Sequence, residues 1–454
     1  MKRMVVILLI ILFSSVASRS QTRLKLEDCI NIALTNNTQI INSRTELNTS
    51  KAQKLSSYSS ILPRLSFSGS PSRYYRAPST YIGYAPTGYN PTTGQVIYGK
   101  KEITSPANTT ESYGASVSWS QTIWDNGRWW NQIQHAETGV RASEWNLENT
   151  TVNTIASVKA RYYELVKTLA QQKVQEESVT LAEEQLRRSE TMYNIGTVAQ
   201  VDVFRSKVNL DRNKINLINQ KLAIENARRN LALIMGMDIY APLEVETEIL
   251  YEVNYDISLD DFINRGVNNN PNIKRLEELV QSSEFNVKIT KAARYPSLSY
   301  SASYSRNNSE LERIYKNISK NYSLHLGLTV SYNIFDGFQT RSNIQQAKNT
   351  LRSNEENLKD TKRNHKSTIM TYYQQLMAFK EKIEINKEMI LAAEEDLRLA
   401  NERYRVGSGT LIETIDAQVQ LTSARYSLLE LQYDALIAEA FLHTAVNIGD
   451  EIKN

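Results

Sequence analysis

The most constraining feature of this 454-residue chain is an internal duplication. Leu26-Glu27-Asp28 recurs as Leu259-Asp260-Asp261, a spacing of 233 residues. Further along, Tyr193-Asn194-Ile195-Gly196 recurs as Tyr404-Arg405-Val406-Gly407, a spacing of 211 residues. The first copy therefore carries 22 additional residues (233 minus 211) before its second half. Two copies that differ by one insertion predict two structural repeats with one exposed loop of variable length.

The first 20 residues have the organisation of a secretory signal peptide. Lys2 and Arg3 precede an apolar run from Met4 to Phe13, small residues follow, and cleavage is predicted just before Gln21. The apolar run is too short to span a bilayer, and no later stretch reaches about 18 consecutive apolar residues. The sequence therefore predicts export and no transmembrane helix.

Charge and cysteine content argue against two classes of protein. The chain has 53 basic and 49 acidic residues, and loss of Lys2, Arg3 and Arg19 with the signal peptide leaves 50 against 49. This balance argues against a nucleic-acid-binding protein. Cys29 is the only cysteine, so no internal disulfide can form, which favours a long helical protein over a disulfide-stapled secreted module.

Each repeat is predicted to contain a helix, a strand, a loop, a strand and two long helices. In the first repeat, residues 21–236, strands are expected at about 64–71 and 112–123 and helices at 137–194 and 199–235. The loop 72–111 between those strands is rich in proline and glycine, which predicts no regular element there. A linker, 237–258, then leads to the second repeat, 259–449, with strands at about 297–306 and 322–334, helices at 340–404 and 410–447, and a tail, 450–454.

The strand segments alternate apolar and small polar residues. In 112–123, for example, Val117 and Trp119 alternate with Ser116 and Ser118. One interpretation is a half-buried sheet of a soluble protein. The runs reach about twice the usual soluble length, and the polar face is Ser, Gly and Thr rather than Lys and Glu, which favours membrane strands around a lumen.

Four aromatic residues lie just past the predicted strand ends: Trp124, Trp129, Trp130 and Phe335. They are candidates for the aromatic girdle of a membrane barrel. The alternative is that they pack the strand-to-helix turns at Asn126-Gly127 and Asp336-Gly337.

The helix after Gly196 carries two apolar stripes with a seven-residue repeat. One stripe is Val201, Val208, Ile215 and Leu222, and the other is Leu210, Leu217, Ile224 and Leu231. A heptad stripe indicates a coiled-coil seam. Two stripes predict neighbours on both sides, whereas an ordinary two-helix hairpin needs only one.

Four strands cannot close a membrane barrel, because the outer edges would stay unpaired in lipid. Closure takes about eight strands, so copies of the chain must associate. The arithmetic permits either a dimer or a trimer.

These features together resemble the TolC family of outer-membrane efflux proteins, over about Leu24 to Gly449. The resemblance rests on the signal peptide, the duplicated Tyr-x-x-Gly turns followed by acidic helix starts, and the duplicated turns that close the strands. It implies a mainly α protein with membrane β-strands, whose homotrimer forms a 12-stranded barrel in the outer-membrane lipid, continuous with a periplasmic α-helical barrel. It also implies a Gram-negative outer-membrane location, a periplasmic adaptor and an inner-membrane pump of RND or ABC type, in tripartite efflux or type I secretion.

Carboxylates after the glycine turns are candidates for a periplasmic gate. Asp202 and Glu413 each lie six residues after the turn glycine, and Asp416 lies three residues after Glu413. In a three-fold assembly an inward carboxylate becomes a ring of three that binds cations. The resemblance implies an acidic constriction at Glu413 and Asp416, and closed-state links between helices at Asp202 and Tyr404. The alternative is that acidic residues near a helix N-terminus only complement its dipole.

Two further expectations concern the hairpin turns. Some relatives carry a gate-locking arginine where this chain has Gly409, so the closed state is expected to be held differently or more loosely. Gly196-Thr197 and Gly407-Ser408 are the predicted contact with the adaptor. The alternative is that these glycines only cap the preceding helices, and both can hold.

No chemistry-bearing constellation is present in the sequence. The four histidines stand far apart, and there is no phosphate-binding glycine loop or nucleophile motif. The sequence therefore predicts no enzymatic activity, no cofactor and no metal site. The alternative function is a secreted coiled-coil scaffold or tether, with the sheet as a soluble cap.

Overall fold

The structure is a computed structural model, and it describes residues 23–247 and 258–447. The predicted signal peptide and the tail 450–454 lie outside the described residues, as does part of the predicted linker. The chain divides into two compact units. The helical unit comprises the chain up to residue 51, residues 138–280 and the chain from residue 352, and the sheet unit comprises residues 52–137 and 281–351.

The helices of the two repeats begin at equivalent positions. In the first repeat they are α1 (Leu26–Asn36), α2 (Thr38–Ser57), α3 (Arg128–Asn194) and α4 (Gln200–Met235). In the second they are α5 (Leu259–Asn269), α6 (Pro271–Ala292), the short α7 (Glu312–Tyr315), α8 (Gln339–Arg405) and α9 (Leu411–Val446). Both α3 and α8 have 67 residues, about 100 Å at 1.5 Å per residue. Helix α3 begins nine residues before the predicted start at 137.

The strands form an antiparallel sheet and a separate hairpin. The strands are β1 (Arg64–Arg76), β2 (Ser79–Tyr89), β3 (Val96–Ser105), β4 (Asn108–Trp124), β5 (Ser297–Asn308) and β6 (Ser323–Ser331). The four-stranded sheet has the order β1-β4-β5-β6, and β2 pairs only with β3. Strand β1 runs five residues past the predicted end at 71, and β6 ends before the predicted 334.

The strand register gathers the apolar and polar residues on opposite faces of the sheet. Phe67 lies opposite Val117, which lies opposite Tyr304, which in turn lies opposite Leu324. On the other face, the hydroxyls of Ser66 and Ser118 form a hydrogen bond of 2.7 Å, and so do those of Ser68 and Ser116. The predicted alternation is therefore present across all four strands.

The apolar face of the sheet is uncovered except near Arg306, where residues 313–320 lie against it. Leu65 is 75 % exposed, Leu326 60 % and Val330 68 %, although each lies on a row of apolar neighbours. The interpretation of a soluble sheet with one buried face is wrong for the single chain. An exposed apolar surface of this extent needs either lipid or a partner.

The prediction that residues 72–111 lack regular structure is wrong, because they extend β1 and β4 and form the β2–β3 hairpin. The prolines occupy positions that a sheet tolerates. Pro71 lies on the edge strand β1, and Pro86 lies at the register shift between β2 and β3. At the hairpin end, the side chain of Asn90 accepts hydrogen bonds from the amides of Thr92 and Thr93.

Within the described residues, no helix combines the length and the apolar character that crossing a bilayer requires.

Candidate functional site

The tips of the two long hairpins have the same backbone geometry. Gly196 and Gly407 adopt positive φ angles of 78° and 77°. The amides of Thr197 and Ser408 each donate to the carbonyl five residues earlier, at 2.9 Å, and the glycine amides donate to the carbonyl three residues earlier. Both turns are therefore Schellman caps, in which glycine relieves the left-handed strain. The capping role of these glycines is present, and the adaptor contact stays a prediction.

Tyr404 lies at the end of α8 and is only 3 % exposed. Its hydroxyl lies beside Ser189, whose hydrogen bond to the phenol lowers the pKa of Tyr404, and the Ser189 hydroxyl lies 2.8 Å from that of Ser206. Burial raises the pKa of Tyr404, because the phenolate would be poorly solvated, and the Asp202 carboxylate also raises it. The structure brings Tyr404 and Asp202 to one cleft, but no hydrogen bond joins them.

The acidic residues lie in the first turns of α4 and α9. The Asp202 carboxylate is 4.0 Å from the Arg205 guanidinium, and the Glu413 carboxylate is 3.6 Å from Arg403. The backbone amide of Glu413 donates to Thr410 Oγ1, the N-cap of α9. Glu413 and Asp416 are both exposed, one helical turn apart, as the shared-face prediction requires. Whether they face a lumen stays a prediction.

Gly409 lies where a side chain has no room. A Cβ at Gly409 would come within 2.9 Å of the Arg403 Cβ and 3.2 Å of the Glu413 carboxylate. The arginine beside Glu413 is instead Arg403, on α8, which the sequence prediction missed. Its signal is a difference between the repeats, because the equivalent residue of the first copy is Met192.

The predicted girdle residues lie in the sheet unit at strand-to-helix junctions. Trp124 is the last residue of β4 rather than a residue beyond it, and Trp129 and Trp130 lie in the first turn of α3. Trp124, Trp130 and Phe335 are exposed, whereas Trp129 is half-buried and meets Trp130 edge to face. These residues therefore leave aromatic surface free, and their role as a membrane girdle stays a prediction.

The turns at these junctions are duplicated as well. Asp125 accepts a hydrogen bond from the amide of Trp129 at 3.0 Å, and Asp336 accepts one from the amide of Thr340 at 2.9 Å. Each carboxylate satisfies an otherwise unpaired amide at the start of a 67-residue helix.

The two heptad stripes of α4 have different surroundings. Leu210, Ile224 and Leu231 of one stripe are buried inside the chain. Val201, Val208, Ile215 and Leu222 of the other stripe are all exposed, with Val208 at 60 %. The exposed stripe is a continuous apolar seam without a partner in the part of the chain that the structure describes. No group of three or more potential metal ligands occurs in that part either.

Comparison with known proteins gives a family and a fold. The family model described as "Outer membrane efflux protein" matches residues 29–237 and 263–447. The toluene efflux pump outer membrane protein TtgC of Pseudomonas putida is 22 % identical over 282 residues, covering 61 % of this chain and 53 % of that protein. The chain thus spans about half the length of this curated relative. The outer membrane efflux protein BepC of Brucella suis is 21 % identical over 332 residues, covering 72 % of this chain and 71 % of BepC.

Among solved structures, the Campylobacter jejuni CmeC outer membrane channel matches with a TM-score of 0.78 at 19 % identity. The match covers 93 % of this chain and 85 % of that one. At this identity the likeness establishes the fold.

Proposed function

Since this chain belongs to the outer membrane efflux protein family, we propose that it forms a homotrimeric exit duct in the outer membrane. Three copies supply twelve strands and enclose a helical tunnel in the periplasm. The duct acts passively, with a periplasmic adaptor and an inner-membrane pump of RND or ABC type supplying the energy, in tripartite efflux or type I secretion. The observation that carries the proposal is the sheet, with one exposed apolar face and one face of serine, threonine and glycine.

The edges of the sheet support closure by association. Strands β1 and β6 are the outer strands, and neighbouring strands alternate in direction. A β6 edge therefore meets the β1 edge of the next copy antiparallel, and head-to-tail contacts of this kind form a ring. The unpaired edge groups would cost several kcal/mol each in lipid, so ring closure is strongly favoured.

The exposed stripe of α4 supports the same assembly in the periplasm. Val201, Val208, Ile215 and Leu222 repeat every seven residues, which suits knobs-into-holes packing against a helix of the neighbouring copy. The other stripe is already buried within the chain, so each hairpin has neighbours on both sides.

The gate and the docking tip follow from this assembly. Glu413 and Asp416 are exposed near the tip of α9, and three-fold symmetry converts them into rings of carboxylates that bind cations. The turns Gly196-Thr197 and Gly407-Ser408 project beyond the helices and offer an adaptor a short, rigid contact.

The decisive experiment is purification followed by conductance measurement in planar bilayers. We expect a detergent-dependent trimer that conducts ions, and cation block that weakens in the Glu413→Ala/Asp416→Ala double variant. Glu356→Ala/Asp360→Ala, on exposed surface of α8, is the matched loss of charge and should leave block unchanged. A monomer that stays monodisperse without detergent would favour the scaffold alternative and reject the duct. If cation block is the same in both double variants, Glu413 and Asp416 do not line the lumen.

Docking is testable because the chain has no reactive thiol of its own. Burial raises the pKa of Cys29 to about 12, which keeps it a protonated, unreactive thiol. Thr197→Cys should crosslink to a co-expressed adaptor, whereas Thr180→Cys, exposed about four turns before the end of α3, should not. Equal crosslinking at both positions would contradict docking at the tips.

A further inference from the structure

The hairpin of the first repeat extends well beyond the four-stranded sheet. Strand β5 pairs with β4 only as far as Tyr113, and β1 pairs with no strand other than β4. Residues 72–112 therefore form a two-stranded ribbon without a third strand in the part of the chain that the structure describes, and we call it the outer ribbon. From Ser72 to Tyr89 it spans up to about 60 Å at 3.3 Å per residue. A two-stranded ribbon is marginally stable alone, so one of this length needs a partner.

One face of the outer ribbon continues the serine face of the sheet. Arg76 pairs with Asn108 and Ser79 pairs with Ser105, so the register is the same on both sides of the short break between the two ladders. Successive residues of a strand belong to opposite faces. The even-numbered residues of β1 and β4, which include the serines of the sheet, are therefore followed by the even-numbered residues of β2 and β3. We call this side of the outer ribbon the even face.

The chemistry of the even face changes along its length from hydroxyl groups to apolar side chains. The hydroxyls of Thr80 and Thr104 still lie 3.4 Å apart. Further out, Ile82, Tyr84 and Tyr98 are 75 %, 71 % and 63 % exposed. Three large exposed side chains on one face of a narrow ribbon are an unsatisfied contact surface rather than a solvated one.

Two charged residues show what kind of surface fits the even face. Lys100 lies opposite Tyr84, and Glu102 lies opposite Ile82, so one positive and one negative charge accompany the apolar side chains. Neither residue forms an ion pair with a described residue. When copies of this face meet, Lys100 of one copy can approach Glu102 of the next, so the face is complementary to itself in charge as well as in apolar character.

We infer that the outer ribbons of three copies pack on one another through their even faces, above the mouth of the barrel. The inference rests on the proposed trimer. A barrel of twelve strands has a radius of about 12 Å, so a ribbon of about 60 Å that starts at its rim reaches the axis. Attachment to one barrel gives the ribbons a millimolar effective concentration, which favours contact between small apolar surfaces. The packed ribbons cover the outer exit of the duct.

Crosslinking of the purified full chain tests the contact. Lys100→Cys places a thiol on the even face, and Lys101→Cys places one on the opposite face, one residue away and with the same loss of charge. Cys29 is buried and is the only native cysteine, so only the introduced thiol reacts. With a short bismaleimide, Lys100→Cys should give about tenfold or more crosslinked chains than Lys101→Cys.

The mass of the same samples, measured by light scattering, separates failure of this inference from failure of the duct. If the protein is trimeric and Lys100→Cys crosslinks no better than Lys101→Cys, the ribbons stay apart, and the inference is overturned while the duct stands. A monomeric protein contradicts both. If added lipopolysaccharide protects the thiol of Lys100→Cys from a monofunctional maleimide and crosslinks do not form, the even face binds a glycolipid, and the inference is again overturned.

Conductance in planar bilayers provides an independent arm. Ile82→Asp/Tyr84→Asp adds two carboxylates per copy to the even face and should drive the ribbons apart. Ser79→Asp/Tyr81→Asp adds the same charge to the opposite face of the same strand. We expect the first double variant to conduct more than the wild type and to lose its brief closures, because the exit is no longer covered, and the second to behave as the wild type does. Equal conductance of all three proteins would contradict packing over the exit.

Discussion

The two repeats make the same contact at the end of their second long helix, but with different chemistry. After α4, Gly236 has a φ of 69°, and a Cβ there would lie 2.4 Å from the carbonyl oxygen of Asn36. After α9, Asn447 has a φ of 55°, and its side-chain amide donates to the carbonyl of Asn269 at 3.2 Å. Asn36 and Asn269 are themselves equivalent positions. One repeat closes the contact by tight packing and the other by a hydrogen bond across a wider gap.

The hydrophobic cores of the two repeats also differ in sequence, and larger side chains at some positions are offset by smaller ones at others. Equivalent pairs, first repeat before second, are Cys29 and Phe262, Val158 and Ile369, Ala33 and Gly266, Ile224 and Ala435, and Met235 and Val446. The second repeat is larger at the first two positions and smaller at the other three. At Gly266 a Cβ would lie 2.4 Å from the Ile369 side chain, so the added volume of one position is offset at another. The duplicated backbone therefore constrains the total side-chain volume of each core more than it constrains the residue type at each position.

The largest expected difference between the repeats is at Cys29 and Phe262, both fully buried. Phe262→Ala should lower the free energy of unfolding by about 3–5 kcal/mol, because it leaves a cavity in the second core. Cys29→Ala removes one sulfur atom and should cost about 1 kcal/mol. Thermal unfolding followed by circular dichroism, with both variants in the same detergent, measures the two shifts. Equal shifts would mean that the second core relaxes around the cavity.

The next difference is at the helix ends. Gly236→Ala should cost about 3 kcal/mol, because it adds left-handed strain and forces the backbone of Asn36 away. Asn447→Gly keeps an allowed conformation and loses one exposed hydrogen bond, so it should cost at most about 1 kcal/mol. Unfolding midpoints of the two variants test this order. A Gly236→Ala protein as stable as Asn447→Gly would show that the close approach to Asn36 is easily relaxed.

The duplicated parts were predictable from sequence, since the heptads, the Tyr-x-x-Gly turns and the alternating strands each have a local period. Except for the 22-residue insertion of the first copy, the differences between the repeats were not predictable. The β2–β3 hairpin was missed because composition rich in proline and glycine argues against strands, whereas the position of each proline decides the outcome. Arg306, on β5, was missed as well. It is buried on the apolar side and donates to the carbonyls of Arg313 at 2.8 Å and Lys320 at 3.0 Å. Such contacts depend on the path of a loop, which has no period.

At the hairpin tips, likewise, the sequence predicted some of the residues and missed others. Spacing from the turn glycines placed Asp202 and Glu413 in first turns of helices, as the structure has them. It did not predict Arg403 beside Glu413, nor Arg188 and Arg205 in the cleft that Tyr404 and Asp202 line. Arg403 and Glu413 meet across the turn between α8 and α9, whereas Arg188 and Arg205 share a cleft with Tyr404 only because the two hairpins pack together.

The smallest expected difference concerns pH. His365 on α8 donates from Nε2 to the carbonyl of Ala445 at 2.8 Å, and its equivalent in the first repeat is the buried Thr154. Burial lowers the pKa of His365, so the unfolded chain takes up a proton at a higher pH than the folded chain does. The stability that His365 contributes is therefore present above its unfolded pKa of about 6.5 and falls as the pH drops through that value.

His365→Gln keeps an amide donor without a titrating group and should lose less stability than the wild type between pH 8 and pH 5. His325→Gln, on exposed β6, removes a histidine of the sheet unit and serves as the control for the same measurement. An identical fall in unfolding midpoint for wild type and His365→Gln would mean that the acid sensitivity lies in groups that both repeats share.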